Sequence, residues 1–418
     1  MLMKTLHESD SVKQAIAVVG TLDTKFSEIL FLRDYIAERG FDAKIIDASM
    51  LKHDHELDAD FTCRQVAAEA GVAFDNLHST NDRDYGTRTI AEGLSRILER
   101  MVAGNELDGV ISVGGAQGTS ISSTAFKKLP IGFPKLIVSA VASGNIRPYV
   151  GARDILIMFS VADINGGVNE VTRTILANAA AAIMGMVRDG QRLSLTHTRP
   201  VIGITAWGTT QRAVMAAATE LRSRGFEPVI FHSSGACTSA MESLIEEGFI
   251  DGVLDLTTHD FLGELFPQET QPPVNPGRLA TAADRGIPLI VAPGGLNMFV
   301  MGPYDELKEE YKSRPMLKHN PTLSEVQVTV PELLTVAEAM AERLNAARAY
   351  CAFIVPLRGW NDYDAEGSVL YNPQGDKAFV KRLRELLNPN VEIIEIDSNL
   401  NSPEVGRVAA ELLTKHFC

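Results

Sequence analysis

Several short loops carry the residue types that bind phosphate. Gly20-Thr21-Leu22-Asp23-Thr24-Lys25 follows the apolar run Ala15–Val19. Gly20 admits close backbone approach, the hydroxyls and the N–H groups of a following helix can face phosphate oxygens, and Lys25 adds positive charge. Asp23 suits a Mg²⁺ ion held through water; the competing reading is a helix start capped by Asp23 or Thr24. The richer loop is Gly114-Gly115-Ala116-Gln117-Gly118-Thr119-Ser120, after the run Gly109–Val113. Its glycines and hydroxyls at a strand-to-helix junction form an anion nest, whereas a plain tight turn needs fewer glycines. Two more strand ends add Ser143, Gly144 and Asn145, and then Asp163, which fits a ribose, a metal or a helix cap. Neither glycine loop is a Walker A or G-x-G-x-x-G motif, and no G-x-S-x-G elbow occurs.

The second half holds a corresponding set. Trp207-Gly208-Thr209, His232-Ser233-Ser234, Thr257-Thr258-His259-Asp260 and Gly294-Gly295 all follow apolar runs. They form a separate small-molecule site or one wall of a cleft between domains. His259 and Asp362 are the candidate catalytic residues, His259 for acid–base work and Asp362 within the Asp362, Asp364, Glu366 cluster. That cluster suits a divalent cation or ligand hydroxyls, or equally an acidic surface turn. His53-Asp54-His55-Glu56 reads as a solvated loop before it reads as a metal site.

The elements that must position these loops are legible as periodicity. Eleven short apolar runs are bounded by turn residues, near 15–19, 43–47, 109–113, 135–139 and 155–159, then 201–205, 228–231, 252–256, 288–292, 352–356 and 391–396. Helix-period segments separate most of them, so they read as buried parallel strands of an α/β protein. A polar insert at about 298–330 reads as loop-rich. The last helical segment, 403–416, is open to either domain.

The two halves echo one another. Gly40-Phe41 and Gly225-Phe226 are 185 residues apart, as are Thr24 and Thr209. LDGVISV at 107–113 likewise matches IDGVLDL at 250–256. A repeat this long is a duplicated domain, not a solenoid. The expected organisation is two Rossmann-like three-layer domains with parallel sheets, 1–195 for nucleotide and 196–418 for substrate.

Composition sets outer limits. With 45% hydrophobic and 22% charged residues over 418 positions, the chain is globular. A net charge of −14 leaves no broad surface for nucleic acid or anionic lipid. Four cysteines without a C-x-x-C pair argue against a disulfide scaffold or structural zinc. No apolar run is long enough to span a membrane, and the first residues lack the apolar stretch of a signal peptide. A cytoplasmic protein is expected.

These motifs carry a resemblance along nearly the whole chain. GTLDTK (20–25), SVGGAQGT (112–119), DINGGVNEVTR (163–173), GITAWGTT (203–210), VAPGGLNM (291–298) and PLRGWNDYDAEG (356–367) are the most distinctive segments. They resemble the family formed by the N-terminal ATP-binding domain of a plant tomato mosaic virus resistance protein and its bacterial relatives. The resemblance implies two Rossmann-like subdomains, dimerisation, and ATP on the first-subdomain loops Gly20–Lys25 and Gly114–Ser120. It also implies a TIM-barrel companion of the phosphoenolpyruvate-hydrolase type, fused in plants and often separately encoded in bacteria. Two features depart from the pattern: Gln327 stands where relatives carry arginine, and 50–60 lacks the usual Gly-Pro-rich loop.

The expected function is ATP binding with Mg²⁺, in an enzyme acting on a small polar metabolite. The alternative is a non-catalytic sensor or a regulatory subunit of the TIM-barrel companion.

Overall fold

The computed structural model describes residues 13–78 and 82–417. The N-terminal stretch tested above for a signal peptide and Cys418 lie outside those residues. The chain divides into two compact units, 1–193 and 194–418.

The first unit holds five parallel strands: β1 (Ala15–Gly20), β2 (Asp42–Asp47), β3 (Gly109–Gly114), β4 (Lys135–Ser139) and β5 (Leu156–Phe159). Their order is β2-β1-β3-β4-β5. β1, β3 and β4 are buried along their whole length, because helices cover both faces. Ile16, Val18, Ile111 and Val138 meet the helices Leu22–Ala37 and Glu170–Asp189 on one face. Ala17, Val19, Val110 and Ile137 meet Arg83–Ala103 and Ala116–Phe126 on the other.

The second unit begins with β6 (Val201–Ala206), β7 (Glu227–His232), β8 (Gly252–Thr257) and β9 (Leu289–Gly294). Next come β10 (Met298–Met301), β11 (Met316–Asn320) and β12 (Leu323–Gln327), followed by β13 (Cys351–Pro356) and β14 (Val391–Ile396). The main sheet runs β14-β13-β9-β8-β6-β7, all parallel. From the β7 edge it repeats the first unit's order and adds one strand. Both domains are therefore three-layer α/β sheets of one topology, as the repeat predicts.

All eleven expected strands form. The insert that reads as loop instead folds as a separate antiparallel sheet, β10-β12-β11. Its hairpin turns at Asn320, whose side chain accepts the Thr322 N–H at 2.8 Å. The final helix, Pro403–Thr414, packs on the second unit: Val405, Ala409 and Leu413 share a core with Val214 and Leu221 of Gln211–Ser223.

Candidate functional site

In the 2-1-3-4-5 order, consecutive crossovers leave β1 toward opposite sides, and a crevice opens at the carboxyl ends of β1 and β3. A cleft of about 620 Å³ lies at that point in the first unit. Thr21, Asp23, Thr24 and Lys25 form one wall, and Gly115, Ala116, Gln117 and Gly118 form another. The two loops singled out in the sequence thus meet in space.

Their roles differ. The N-terminus of Leu22–Ala37 is already occupied. Asp47, buried at the end of β2, accepts the Leu22 N–H at 3.3 Å, and Ser49 Oγ accepts the Asp23 N–H at 3.0 Å. A buried carboxylate there takes the place of an anion. The N-terminus of Ala116–Phe126 has no side-chain cap, so its first-turn N–H groups stay available. The glycines divide similarly. A Cβ at Gly114 would lie 3.0–3.2 Å from the Gly118 and Thr119 backbone, so that glycine serves close strand–helix packing. Gly115 has φ −77° and nothing within 4 Å of a Cβ position, so neither strain nor packing requires glycine there. Its missing side chain leaves room over the helix end.

Charge and shape complete the cleft. Lys25 and Arg83 both line it, and among the described residues neither pairs with a carboxylate. Lys25 lies at a kink in its helix, with φ −129° and ψ 26°. Asp23 Oδ2 accepts the Leu51 N–H at 3.2 Å, while Oδ1 is buried without a partner. Met50, Leu51 and Leu77 supply an apolar side, and Gln117 Nε2 contacts Met50 Sδ at 3.2 Å. The apolar side and Arg83 escaped sequence reasoning, because 50–83 has no periodic signal; its departure from the family's Gly-Pro-rich loop was the available clue.

Other expected residues lie elsewhere. Thr119 is buried, its hydroxyl 2.7 Å from Ser139 Oγ, and Ser120 does not line the cleft. Ser143, Gly144 and Asn145 are exposed after β4, where Asn145 Oδ1 accepts the Arg147 N–H. Asp163 is exposed after the edge strand β5. None of these four lines the cleft, because β4 and β5 lie beyond β3, away from the crossover.

Asp47, His53 and Cys63 approach one another beneath this cleft, with ligand atoms within 4.8 Å. His53 Nδ1 accepts the His55 N–H at 3.1 Å, so the ring proton sits on Nε2, 2.9 Å from Asp47 Oδ2. That tautomer serves Asp47, not a metal. Burial, then Asp47 and Glu56, push the Cys63 thiol well above its usual range.

The second unit repeats the crossover at β6 and β8, with a pocket of about 350 Å³. Trp207, Gly208, Thr209, His232, Gln271, Glu325 and Asp362 are among its lining residues. His259 is fully buried and does not line it. It stacks on Trp207 with ring centroids 4.0 Å apart. Its Nδ1 faces the Gly295 carbonyl at 2.9 Å, and its Nε2 faces Glu269 at 3.3 Å. Burial works against charge, but Glu269 and the carbonyl outweigh it and raise the pKa. His259 Nε2 lies close to Glu269 without a hydrogen-bond partner and is sealed away from the pocket, so the residue is not placed for the expected acid–base role. Beside it Asp260 is fixed by Ser233 and by buried Arg278, which also pairs with Asp255 at 2.6 Å.

Asp362 reaches the pocket but is held by Arg212 at 2.9 Å and Asn401 at 2.8 Å. Asp364 turns inward, accepting the Trp360 and Asn372 N–H groups. The acidic cluster is therefore split between two environments and is no single cation grip. Gln327 Nε2 donates to the Leu370 carbonyl at 3.2 Å.

Fold and site together define an α/β protein of two crossover-type parallel domains, each with a pocket at the carboxyl edge of its sheet. Models of the uncharacterised protein family UPF0261 match this chain, the N-terminal domain over residues 14–192 and the C-terminal domain over 199–417. The chain belongs to that family. A UPF0261 protein of Clostridium tetani is 38% identical over 403 residues, covering 96% of this chain and 98% of its own. The tomato (Solanum lycopersicum) ToMV resistance protein Tm-1(GCR237) is 33% identical over 399 residues, 89% of this chain. This chain spans 51% of that longer protein. Among solved structures, a UDP-GlcNAc 2-epimerase from Neisseria meningitidis aligns over 66% of this chain and 82% of its own, at TM-score 0.23 and 13% identity. Among the described residues no helix is long and apolar enough to cross a membrane.

Proposed function

We propose that the first-unit cleft binds ATP with Mg²⁺. The observation that carries this reading is the uncapped N-terminus of Ala116–Phe126 opening beside Gly115, with Lys25 and Arg83 on the same walls. Backbone N–H groups and two cations suit a polyphosphate. The Met50, Leu51 and Leu77 side suits a base, which inorganic phosphate lacks. The volume falls within the range of small-ligand pockets, roughly 300–1,000 Å³. The unpartnered Asp23 Oδ1 is the oxygen suited to Mg²⁺, directly or through water. ATP regulation and ATP turnover both begin with this binding step.

Isothermal titration with the non-hydrolysable analogue AMP-PNP, with and without Mg²⁺, tests the reading. Saturable binding is expected, weakened about tenfold or more by Arg83→Ala, since charged hydrogen bonds are each worth roughly 1.5–3 kcal/mol. Absence of binding in both conditions refutes it.

A further inference from the structure

The pocket of the second unit differs chemically from the cleft of the first. Among the described residues no lysine or arginine lines it. Of its two histidines, His319 is engaged by Glu325 at 3.2 Å. Burial, and then the neighbouring His259, lower the pKa of His232. A phosphate or carboxylate finds no free cation here.

Hydrogen-bonding groups without partners gather at the same walls. Glu325 is 7% exposed; one carboxyl oxygen faces His319 and the other, Oε2, has no partner. Thr209 Oγ1 and Gln271 Oε1 are also buried and unpartnered. Leaving a buried polar group unanswered is costly, so a fold retaining three around one pocket leaves them for a ligand. Gln271 Oε1 needs a donor. Thr209 can give or take, and a carboxyl oxygen takes or gives according to its proton. Hydroxyl groups answer all three. Trp207 adds an aromatic wall, its ring backed by His259 and so fixed in place.

From this we infer that the second-unit pocket binds an uncharged polyhydroxylated molecule of the sugar or cyclitol type, its ring against Trp207 and its hydroxyls on Thr209, Gln271 and Glu325. Electrostatics agree with the assignment. The carboxyl groups of Glu325 and Asp362 on the pocket walls disfavour an anion. The inference does not rest on nucleotide binding in the first unit.

The test uses the full chain and a panel of D-glucose, D-xylose and myo-inositol, with glucose 6-phosphate and putrescine as charged comparators. Saturation-transfer NMR and quenching of tryptophan fluorescence read binding. At least one neutral member should bind saturably below about 50 mM, a Kd corresponding to roughly −2 kcal/mol. Gln271→Ala and Glu325→Ala should each weaken it about fivefold or more, and Trp207→Phe should weaken it less than Trp207→Ala. Circular dichroism melts confirm that each variant is folded; should Glu325→Ala fail to fold, the half-buried Gln271 carries the test. Binding by no neutral member, undiminished binding in folded Gln271→Ala, or tighter binding of glucose 6-phosphate or putrescine than of every neutral member overturns the inference.

Discussion

Asp376→Asn should make this protein's stability fall less steeply as pH rises above neutrality. Asp364 is fully buried and Asp376, in the first turn of the Pro373–Leu386 helix, is half-buried against it. Asp364 accepts the Trp360 and Asn372 N–H groups at 2.9 and 3.0 Å, which favours its ionised form. Burial, then the neighbouring Asp364, raise Asp376 to about 9, while burial raises Asp364 to about 6. The folded pair therefore holds a proton on Asp376 at neutral pH that the unfolded chain has released. Each group with a raised pKa contributes stability that is complete below the unfolded value and is lost as pH rises toward the folded value. Between pH 7 and 8 Asp376 is the member of the pair that still holds its proton, so its contribution to stability should fall by about 1.4 kcal/mol over that unit. For a unit of this size, 1 kcal/mol corresponds to roughly 2–4 °C in Tm, so the wild-type transition should drop by about 3–6 °C more than that of the variant. Asparagine keeps a donor toward Asp364 without a proton to lose. Differential scanning calorimetry of both proteins at pH 7 and 8, in matched buffers, checks the difference of slopes. Parallel slopes would refute the shared-proton assignment.

Four further outcomes follow from the same geometry. Gly115→Val should leave the fold in place while lowering AMP-PNP affinity about tenfold or more, measured by titration, since its side chain enters open space at the helix end. Gly114→Ala should instead cost about 1–3 kcal/mol in urea denaturation, because its Cβ meets backbone at 3.0–3.2 Å. Arg278→Met should destabilise the second unit by roughly 3–5 kcal/mol in the same assay, as Asp255 and Asp260 lose their buried counter-charge. In native protein, iodoacetamide should modify the exposed Cys237 well before Cys63 or Cys351, both buried with raised pKa values, as peptide mass spectrometry can show.

The parallel strands were legible because each is a short apolar run between turns, and burial on both faces demands that composition. The glycine loop at 114–118 was legible because few structural needs place so many glycines together. The antiparallel sheet was not, since Met316–Asn320 is half-buried to exposed and has no sustained apolar run. Its marks were the short apolar run Met298–Met301 and the Asn320-Pro321 turn pair. Capping of Leu22–Ala37 by Asp47 was beyond reach, because it joins residues 25 apart through tertiary packing. His259 illustrates the same limit. A histidine after a strand looks available for proton transfer, yet Trp207, Gly295 and Glu269 enclose it.

Divergence after duplication accounts for the opposite character of the two pockets. Both copies place a crevice at the ends of their first and third strands, so topology alone would give them the same ligand. At the 185-residue spacing Lys25 falls on Thr210, whose hydroxyl is buried against Thr257. One cation is thereby lost. Aligning LDGVISV with IDGVLDL sets Gly114-Gly115-Ala116 against Thr257-Thr258-His259. The open helix start is replaced by packed side chains and only a five-residue helix, Phe261–Leu265. His259, the residue at that place, faces Glu269 and is hidden behind Trp207. A phosphate entering the second crevice would meet neither free N–H groups nor an unpaired cation. In the proposed assignment, the exchange of glycine and lysine for threonine, histidine and tryptophan separates an anion site from one for neutral, hydroxyl-bearing ligands on sheets of one strand order.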